Sequence, residues 1–199
     1  MNTGRLEAFS DGVIAVAITL LVLGISVPGK SSRHSFAHQL LHQWPEYAAF
    51  VISFLTIGII WINHHSMITR LRVADHTILL LNLVLLMTIS ILPFATDLVA
   101  EHLEQPVAAA VYAAAFLVMA LAFSFLNRYI LLARPHYLGT PLSAERRRQI
   151  LHRSLTGLVP YAIAVPLAFV SSYITLAICA ALAVFYTTPA ATGRDIRDG

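Results

Sequence analysis

Residues 6–27 read LEAFSDGVIAVAITLLVLGISV, and this run decides the fold class. Apart from Glu7 and Asp11 near its start, the run carries no charged side chain, and Pro28-Gly29 ends it. A membrane-spanning helix needs about 20 consecutive, mostly apolar residues, and this run supplies them. No charged leader with a small-residue cleavage site stands out. We therefore predict a retained transmembrane helix and not a signal peptide.

Further apolar segments follow along the chain. Of the 199 residues, 58% are hydrophobic and only 12% are charged, and the mean hydropathy is +0.75. Soluble domains carry about 25% charged residues. The composition therefore predicts an all-α integral membrane protein, with residues 1–199 forming one domain of six transmembrane helices. The predicted helices cover residues 6–27, 44–68, 76–99, 106–132, 150–170 and 173–188.

The last two predicted helices are the least regular. The fifth contains Gly157, Pro160 and Pro166, which predict a kink. The sixth is short for a full span, and only Ser171-Ser172 separates it from the fifth. The two segments could therefore form one re-entrant hairpin instead of two spans.

Positive charge predicts the orientation of the helices. If the N-terminus is cytoplasmic, eleven of the 13 basic residues fall in cytoplasmic segments, and only Lys30 and Arg33 fall outside. Such a bias favours cytoplasmic placement of both termini. It also argues against nucleic acid as the partner, because the basic residues lie between apolar segments. The cytoplasmic residues are Arg5, Arg70, Arg72, Arg128, Arg134, Arg146, Arg147, Arg148, Arg153, Arg194 and Arg197.

Ionisable and amide side chains inside the predicted membrane region each need a partner. Asp11 lies one turn into the first helix, His64 and His65 lie in the second, and Asn82 lies in the third. We predict that they form a buried polar cluster joining the three helices, with one histidine bonded to Asp11. Adjacent histidines point about 100° apart on a helix, which disfavours a metal pair. Asp11 is either a structural tie or a proton or ion site.

The first helix also has a distinctive face. At about 100° per residue, Gly12, Val16, Thr19, Leu23 and Ser26 fall on one stripe, which Leu20 borders. Asp11 points elsewhere. Small and hydroxyl-bearing side chains favour close helix packing, so this stripe is either a packing face or the lining of a pore formed by symmetric copies.

Three other sets of residues have both an ordinary and a functional interpretation. His34, His38 and His42 form either an interfacial polar face or a Zn²⁺ site, if the linker is helical. We expect the Arg146-Arg147-Arg148 run to determine the topology and to contact anionic lipids, and we favour this over a specific binding site. The acidic residues at the outer helix ends are either solvated caps or a vestibule that concentrates cations. They are Glu46, Asp97, Glu101 and Glu104.

Specific motifs resemble a known family. The stretch Arg5-Leu6-Glu7-Ala8-Phe9-Ser10-Asp11-Gly12-Val13 resembles the R-x-x-x-F-S-D signature of the transmembrane protein 175 family. Trp61 with His64-His65, then Asn82 and Ile91-Leu92-Pro93-Phe94-Ala95-Thr96, resemble its second and third helices. The chain length is similar to that of the bacterial branch, which has one six-helix repeat per subunit.

This resemblance implies a potassium-permeable channel in the bacterial inner membrane. It implies a homotetramer whose first helix lines the central pore without a Thr-Val-Gly-Tyr-Gly filter, passing K⁺ and possibly other monovalent cations and needing no cofactor. The implied hydrophobic constriction comprises Val16, Leu20 and Leu23, with Thr19 beside them. The implied polar network comprises Arg5, Phe9, Ser10, Asp11, Trp61, His64, His65 and Asn82. Val16 replaces the usual Ile or Leu, which implies a wider gate or a narrowest point at Leu20 or Leu23.

Competing functions rest on the same polar residues. Asp11 and the histidines also suit a secondary transporter or proton-coupled cation carrier, although we find no inverted repeat in the sequence. A membrane enzyme is disfavoured because the sequence offers neither a nucleophile–base pair nor a metal-binding signature on the inner helices. A purely structural membrane protein is the remaining alternative.

Overall fold

The structure is a computed structural model that describes residues 3–29 and 35–187, except the side chains of Arg153 and Thr156. These ranges contain no β-strand, only a single bridge between Leu71 and Leu138, so the all-α prediction is confirmed. The α-helices of the described ranges are α1 (Thr3–Leu20), α2 (Phe36–His42), α3 (Trp44–Ile68), α4 (His76–Glu101), α5 (Pro106–Arg128), α6 (Ala144–Thr156), α7 (Leu158–Leu167) and α8 (Ser172–Thr187).

Four helices are long and apolar enough to cross a membrane. They are Thr3–Gly24, Trp44–Ile68, His76–Glu101 and Pro106–Ala133. The first ends in a 3₁₀ turn at Leu21–Gly24, and the fourth ends in a π-helical turn at Tyr129–Ala133. All four correspond to predicted segments. The helices α7 and α8 are apolar but have only 10 and 16 residues, so they fall short of a regular span of about 20.

The fifth predicted segment, 150–170, is two helices and not one kinked helix. The chain breaks at Gly157, between the arginine-rich α6 and the apolar α7. A Cβ atom on Gly157 would lie 2.7 Å from the Tyr186 hydroxyl oxygen, so the break brings α8 unusually close. Pro160 lies in the first turn of α7, where a missing N–H costs no helical hydrogen bond. The kink predicted from sequence is therefore realised as a change of helix.

The bundle is organised around α4, which packs against α1, α3 and α5. The helices α7 and α8 pack against α5, and α8 also packs against α3. Small buried residues of α5, including Ala109 and Ala113, let neighbouring helices approach closely. Cys179 of α8 is fully buried in this packing, as expected of a small core residue. This arrangement leaves α1 at the side of the bundle, held from one face only.

One end of the bundle carries the arginines, and we call it the basic end. There α1 and α4 begin, while α3 and α5 end, which brings Arg70 and Arg134 to the same side. Asp75 caps α4 by accepting from the Ile78 N–H at 2.9 Å, and also accepts from the Tyr129 hydroxyl and Arg134. Burial raises the pKa of Asp75, but these donors outweigh it and lower the pKa below 3.8.

Candidate ion pathway

The side of α1 turned away from the bundle carries the predicted constriction residues. Val16 is 57% exposed, Leu20 is 43% exposed and Leu23 is 76% exposed. The exposed Thr19 lies beside them, and its hydroxyl donates to the Val16 carbonyl at 2.9 Å. Because that bond uses only the hydroxyl proton, the Thr19 oxygen keeps lone pairs that can face a cation. The opposite face is buried through Leu6, Ser10, Ile14, Ala17 and Leu21.

A chain of hydrogen bonds fixes the buried face of α1. The Ser10 hydroxyl donates to the Leu6 carbonyl at 2.8 Å and accepts from Asn82 Nδ2 at 2.9 Å. Asn82 Oδ1 lies 2.7 Å from His64 Nε2. The direction of donation follows from the Leu6 carbonyl, which only accepts, and it requires the His64 proton on Nε2. Ser10 and Asn82 are fully buried and His64 is 1% exposed, so α1, α3 and α4 are joined deep in the bundle.

A second set of contacts joins α1 to α3 nearer to the surface. Trp61 Nε1 donates to Asp11 Oδ1 at 2.8 Å, and His65 Nδ1 lies 3.2 Å from Glu7 Oε1. The two helices run in opposite directions. Asp11 therefore meets Trp61, while Glu7, about one turn earlier in α1, meets His65, about one turn later in α3. The expected bond from a histidine to Asp11 is not what the structure contains: Trp61 takes that position, and His65 pairs with Glu7.

Comparisons with known proteins place this geometry in a family. The model of the TMEM175 family, described as an endosomal/lysosomal potassium channel, matches residues 5–93. A potassium channel of Streptomyces collinus is 43% identical over 190 residues, which cover 93% of this chain and 91% of that protein. The chain belongs to the TMEM175 family. The resemblance inferred from the R-x-x-x-F-S-D signature is thereby confirmed, and so is the expectation of an ion-channel family as opposed to an enzyme.

Two further similarities within the TMEM175 family are informative. The crystal structure of a lysosomal potassium-selective channel TMEM175 homolog from Chamaesiphon minutus superposes with a TM-score of 0.84 at 37% identity, covering 93% of this chain and 96% of that one. The endosomal/lysosomal proton channel TMEM175 of Gallus gallus is 39% identical over 113 residues, which cover 53% of this chain and 23% of that protein. The family match over residues 5–93 contains every residue of the network and of the predicted constriction.

Two signature residues of the TMEM175 family lie apart from the hydrogen-bonded network. Arg5 is exposed and Phe9 is 54% exposed. At about 100° per residue they fall on the same stripe as Val16 and Leu23. The structure therefore divides the predicted network: Ser10, Asp11, Trp61, His64, His65 and Asn82 make contacts between helices, while Arg5 and Phe9 extend the exposed stripe towards the basic end.

The other end of α1 is tied to α3 by residues that sequence reasoning treated separately. Glu46 Oε2 accepts from the Ser26 N–H at 3.2 Å, and Gln43 Nε2 donates to the Ser26 carbonyl at 2.9 Å. A Cβ on Gly24 would lie 2.7 Å from Asp97 Oδ1. Two of the four predicted outer carboxylates thus lie against the end of α1. Ser26 itself was predicted to continue the stripe, but it is engaged here instead.

The candidate metal ligands are distributed as follows. His38 and His42 face each other on α2 with ring centroids 4.9 Å apart, and His34 lies outside the described residues. Glu7, Asp11 and His65 place one potential ligand atom each within 4.8 Å of one another. Trp61 already occupies one oxygen of Asp11, and Glu7 already pairs with His65. We therefore interpret this trio as interhelical pairing and not as a metal centre.

Proposed function

We propose that this chain is a potassium-permeable cation channel in which copies of α1 surround a central pore. The observation that carries the proposal is the exposed stripe on α1, backed by the buried Ser10–Asn82–His64 network. The network holds the helix in one orientation, and the stripe is then available to line a pathway. The potassium-channel relatives of Streptomyces collinus and Chamaesiphon minutus, which cover more than nine tenths of this chain, support the same function.

The proposed assembly is a homotetramer in the bacterial inner membrane. Each subunit would cross the membrane six times, with α6–α7 forming the fifth crossing and α8 the sixth, and with both termini in the cytoplasm. The basic end would then face the cytoplasm, as the distribution of arginine favours. Four copies of α1 would bring Val16, Leu20 and Leu23 to the axis as apolar rings.

The proposed constriction selects by dehydration. An apolar ring of small diameter excludes water and makes an ion shed part of its hydration shell, which costs K⁺ less than Na⁺. The Thr19 oxygen would replace some of the lost water. Val16 is smaller than Leu, so we propose Leu20 and Leu23, which lie farther from the basic end, as the tighter rings.

A recording of the purified protein in planar bilayers tests the proposal. With KCl on one side and NaCl on the other, a potassium-permeable channel gives a reversal potential displaced towards the potassium equilibrium value. The recordings should show single-channel openings, and the current through them should increase with the electrochemical gradient. Saturable exchange without unitary currents would overturn the channel proposal and favour the secondary transporter.

Proton permeation is a second candidate activity, favoured by one observation. Glu7, Asp11 and His65 gather at the α1–α3 contact with one potential ligand atom each within 4.8 Å of the others, and chains of such side chains inside a membrane can relay protons. The Gallus gallus relative is named a proton channel. A pH gradient imposed without a K⁺ gradient distinguishes the two activities, because only proton permeation then produces a current.

A further inference from the structure

A crevice on the far side of the bundle is separate from the exposed stripe of α1. It has a volume of about 420 Å³ and is lined by residues of α3, α5, α6, α7 and α8, with Arg70 just after α3. The helix α6 contributes Arg146, Gln149, Ile150 and Ser154 to this lining. Arg70 and Arg146 lie at the basic end, where the distribution of positive charge predicts the boundary between membrane and water.

The lining changes character along its depth. Near the basic end it contains Arg70, Arg146 and Gln149, and towards the middle of the bundle it contains Ile60 and Met119. A lining that is cationic at one end and apolar at the other matches an amphiphile with a charged headgroup. Basic pockets between transmembrane helices bind anionic lipid headgroups in this way.

Among the described residues, the two arginines of the crevice have no acidic partner. The described residues lining the crevice contain no Asp or Glu. Across the described part of the chain, the ion pairs are His65–Glu7 and Arg134–Asp75, so neither Arg70 nor Arg146 pairs with a described carboxylate. Within the described ranges, the Arg146 guanidinium donates to Gln149 Oε1 at 3.4 Å, and the Arg146 backbone N–H donates to Ser143 Oγ at 3.1 Å. A phosphate between the two guanidinium groups would supply the missing negative charge.

A buried amide beside the arginines adds a second recognition element. Asn127 of α5 lines the crevice and is 2% exposed. Its Oδ1 atom has no hydrogen-bond donor among the described residues, and buried polar atoms rarely remain unpaired. This oxygen has almost no accessible surface, so the Asn127 side chain would rotate towards the crevice for a headgroup hydroxyl to donate to it.

We propose that this crevice binds an anionic phospholipid with a hydroxylated headgroup, of the phosphatidylglycerol type. Arg70 and Arg146 hold the phosphate, Asn127 Oδ1 accepts a headgroup hydroxyl, and an acyl chain lies along the apolar part of the lining. Arg146 thus has a specific role that the neighbouring Arg148 lacks, because only the former lines the crevice.

Lipid binding to the purified full-length protein in uncharged detergent tests this site. Native mass spectrometry should show phosphatidylglycerol bound more tightly than phosphatidylcholine. The double variant R70Q/R146Q should bind phosphatidylglycerol roughly 30-fold more weakly, since each arginine near a headgroup is worth about fivefold. The matched control R128Q/R148Q removes the same charge from exposed positions at the same end and should change binding less than twofold.

Several results would overturn the proposal. Equal losses of phosphatidylglycerol binding in the two double variants would show that general surface charge, and not the crevice, attracts the lipid. Glycerol phosphate competing as well as the lipid would show that no acyl chain is held. The variant N127L provides an independent check, because it should reduce the preference for phosphatidylglycerol over phosphatidic acid, whose headgroup has no glycerol hydroxyls.

Discussion

Where α1 packs against α3 and α4, Ser10 is fully buried and bonded on both sides, whereas on the opposite side Leu23 is 76% exposed. The buried face contains one polar side chain, Ser10, among apolar neighbours, and the exposed face is also largely apolar. A soluble amphipathic helix would instead carry polar residues along its exposed face. In a membrane, a polar group must be satisfied inside the protein, while an apolar group tolerates either lipid or a narrow pore. The held face thus fixes the orientation of α1, and the open face is the proposed lining of the ion pathway.

The largest effect is expected on the held face. Replacing Asn82 by Leu leaves the Ser10 oxygen without its donor and His64 Nε2 without its acceptor, both deep in the bundle. The variant should lose about 1–3 kcal/mol of stability. Thermal unfolding in detergent measures this loss. The control L83A changes an exposed residue of the same helix. A loss of stability in N82L no larger than that in L83A would contradict the structural role of the network.

The open face should respond in conduction and not in stability. Val16→Asn and Leu23→Asn replace apolar rings with polar ones, so water should enter the constriction, conductance should rise severalfold, and potassium selectivity should fall. Single-channel recordings measure both quantities. The matched control is V118N on α5, where the valine is 50% exposed, close to the 57% of Val16. Unchanged currents in both α1 variants would refute the pore assignment.

The smallest effect is expected away from both faces, at the cap of α4. Folding lowers the pKa of Asp75, so its contribution to stability is complete above the unfolded value near 3.8 and is lost as the pH falls through the folded value. Wild-type protein should lose more stability than D75N when the pH is lowered from 7 to 3, because Asn keeps the cap without titrating. Unfolding midpoints at the two pH values measure this. E145Q, an exposed change on α6, should behave as wild type.

Both faces of α1 show how far sequence reasoning reached. Helical periodicity was enough to place Val16 and Thr19 together, because α1 is a regular helix as far as Leu20 and has a constant rotation per residue. The same arithmetic does not extend to Ser26, since the helix tightens into a 3₁₀ turn at Leu21–Gly24 and Glu46 then binds Ser26. Periodicity also could not assign the partner of Asp11, because Trp61 and both histidines lie within one turn of α3 and only the orientation of α3 selects among them.

The crevice was beyond sequence reasoning for a similar reason. Arg146, Arg147 and Arg148 look equivalent along the chain, but Arg146 lines the crevice while Arg147 donates to the Leu131 carbonyl. The part of α6 that lines the crevice comes before the break at Gly157, and the close approach of Tyr186 to Gly157 is a contact between segments distant in sequence. A signal was present in the combination of Gly157 with a charged segment before it, but it was interpreted as a kink.

Composition and local pattern by themselves determined that this protein is helical, that it lies in a membrane, and that its first helix is unlike the others. These properties depend on transfer free energies and on the rotation per residue, which are local. Only the tertiary structure decided that Asn82 bridges Ser10 and His64, that Trp61 holds Asp11, and that a basic crevice opens beside α6. Those properties depend on which helix faces meet, and many residues of similar chemistry compete for each meeting point.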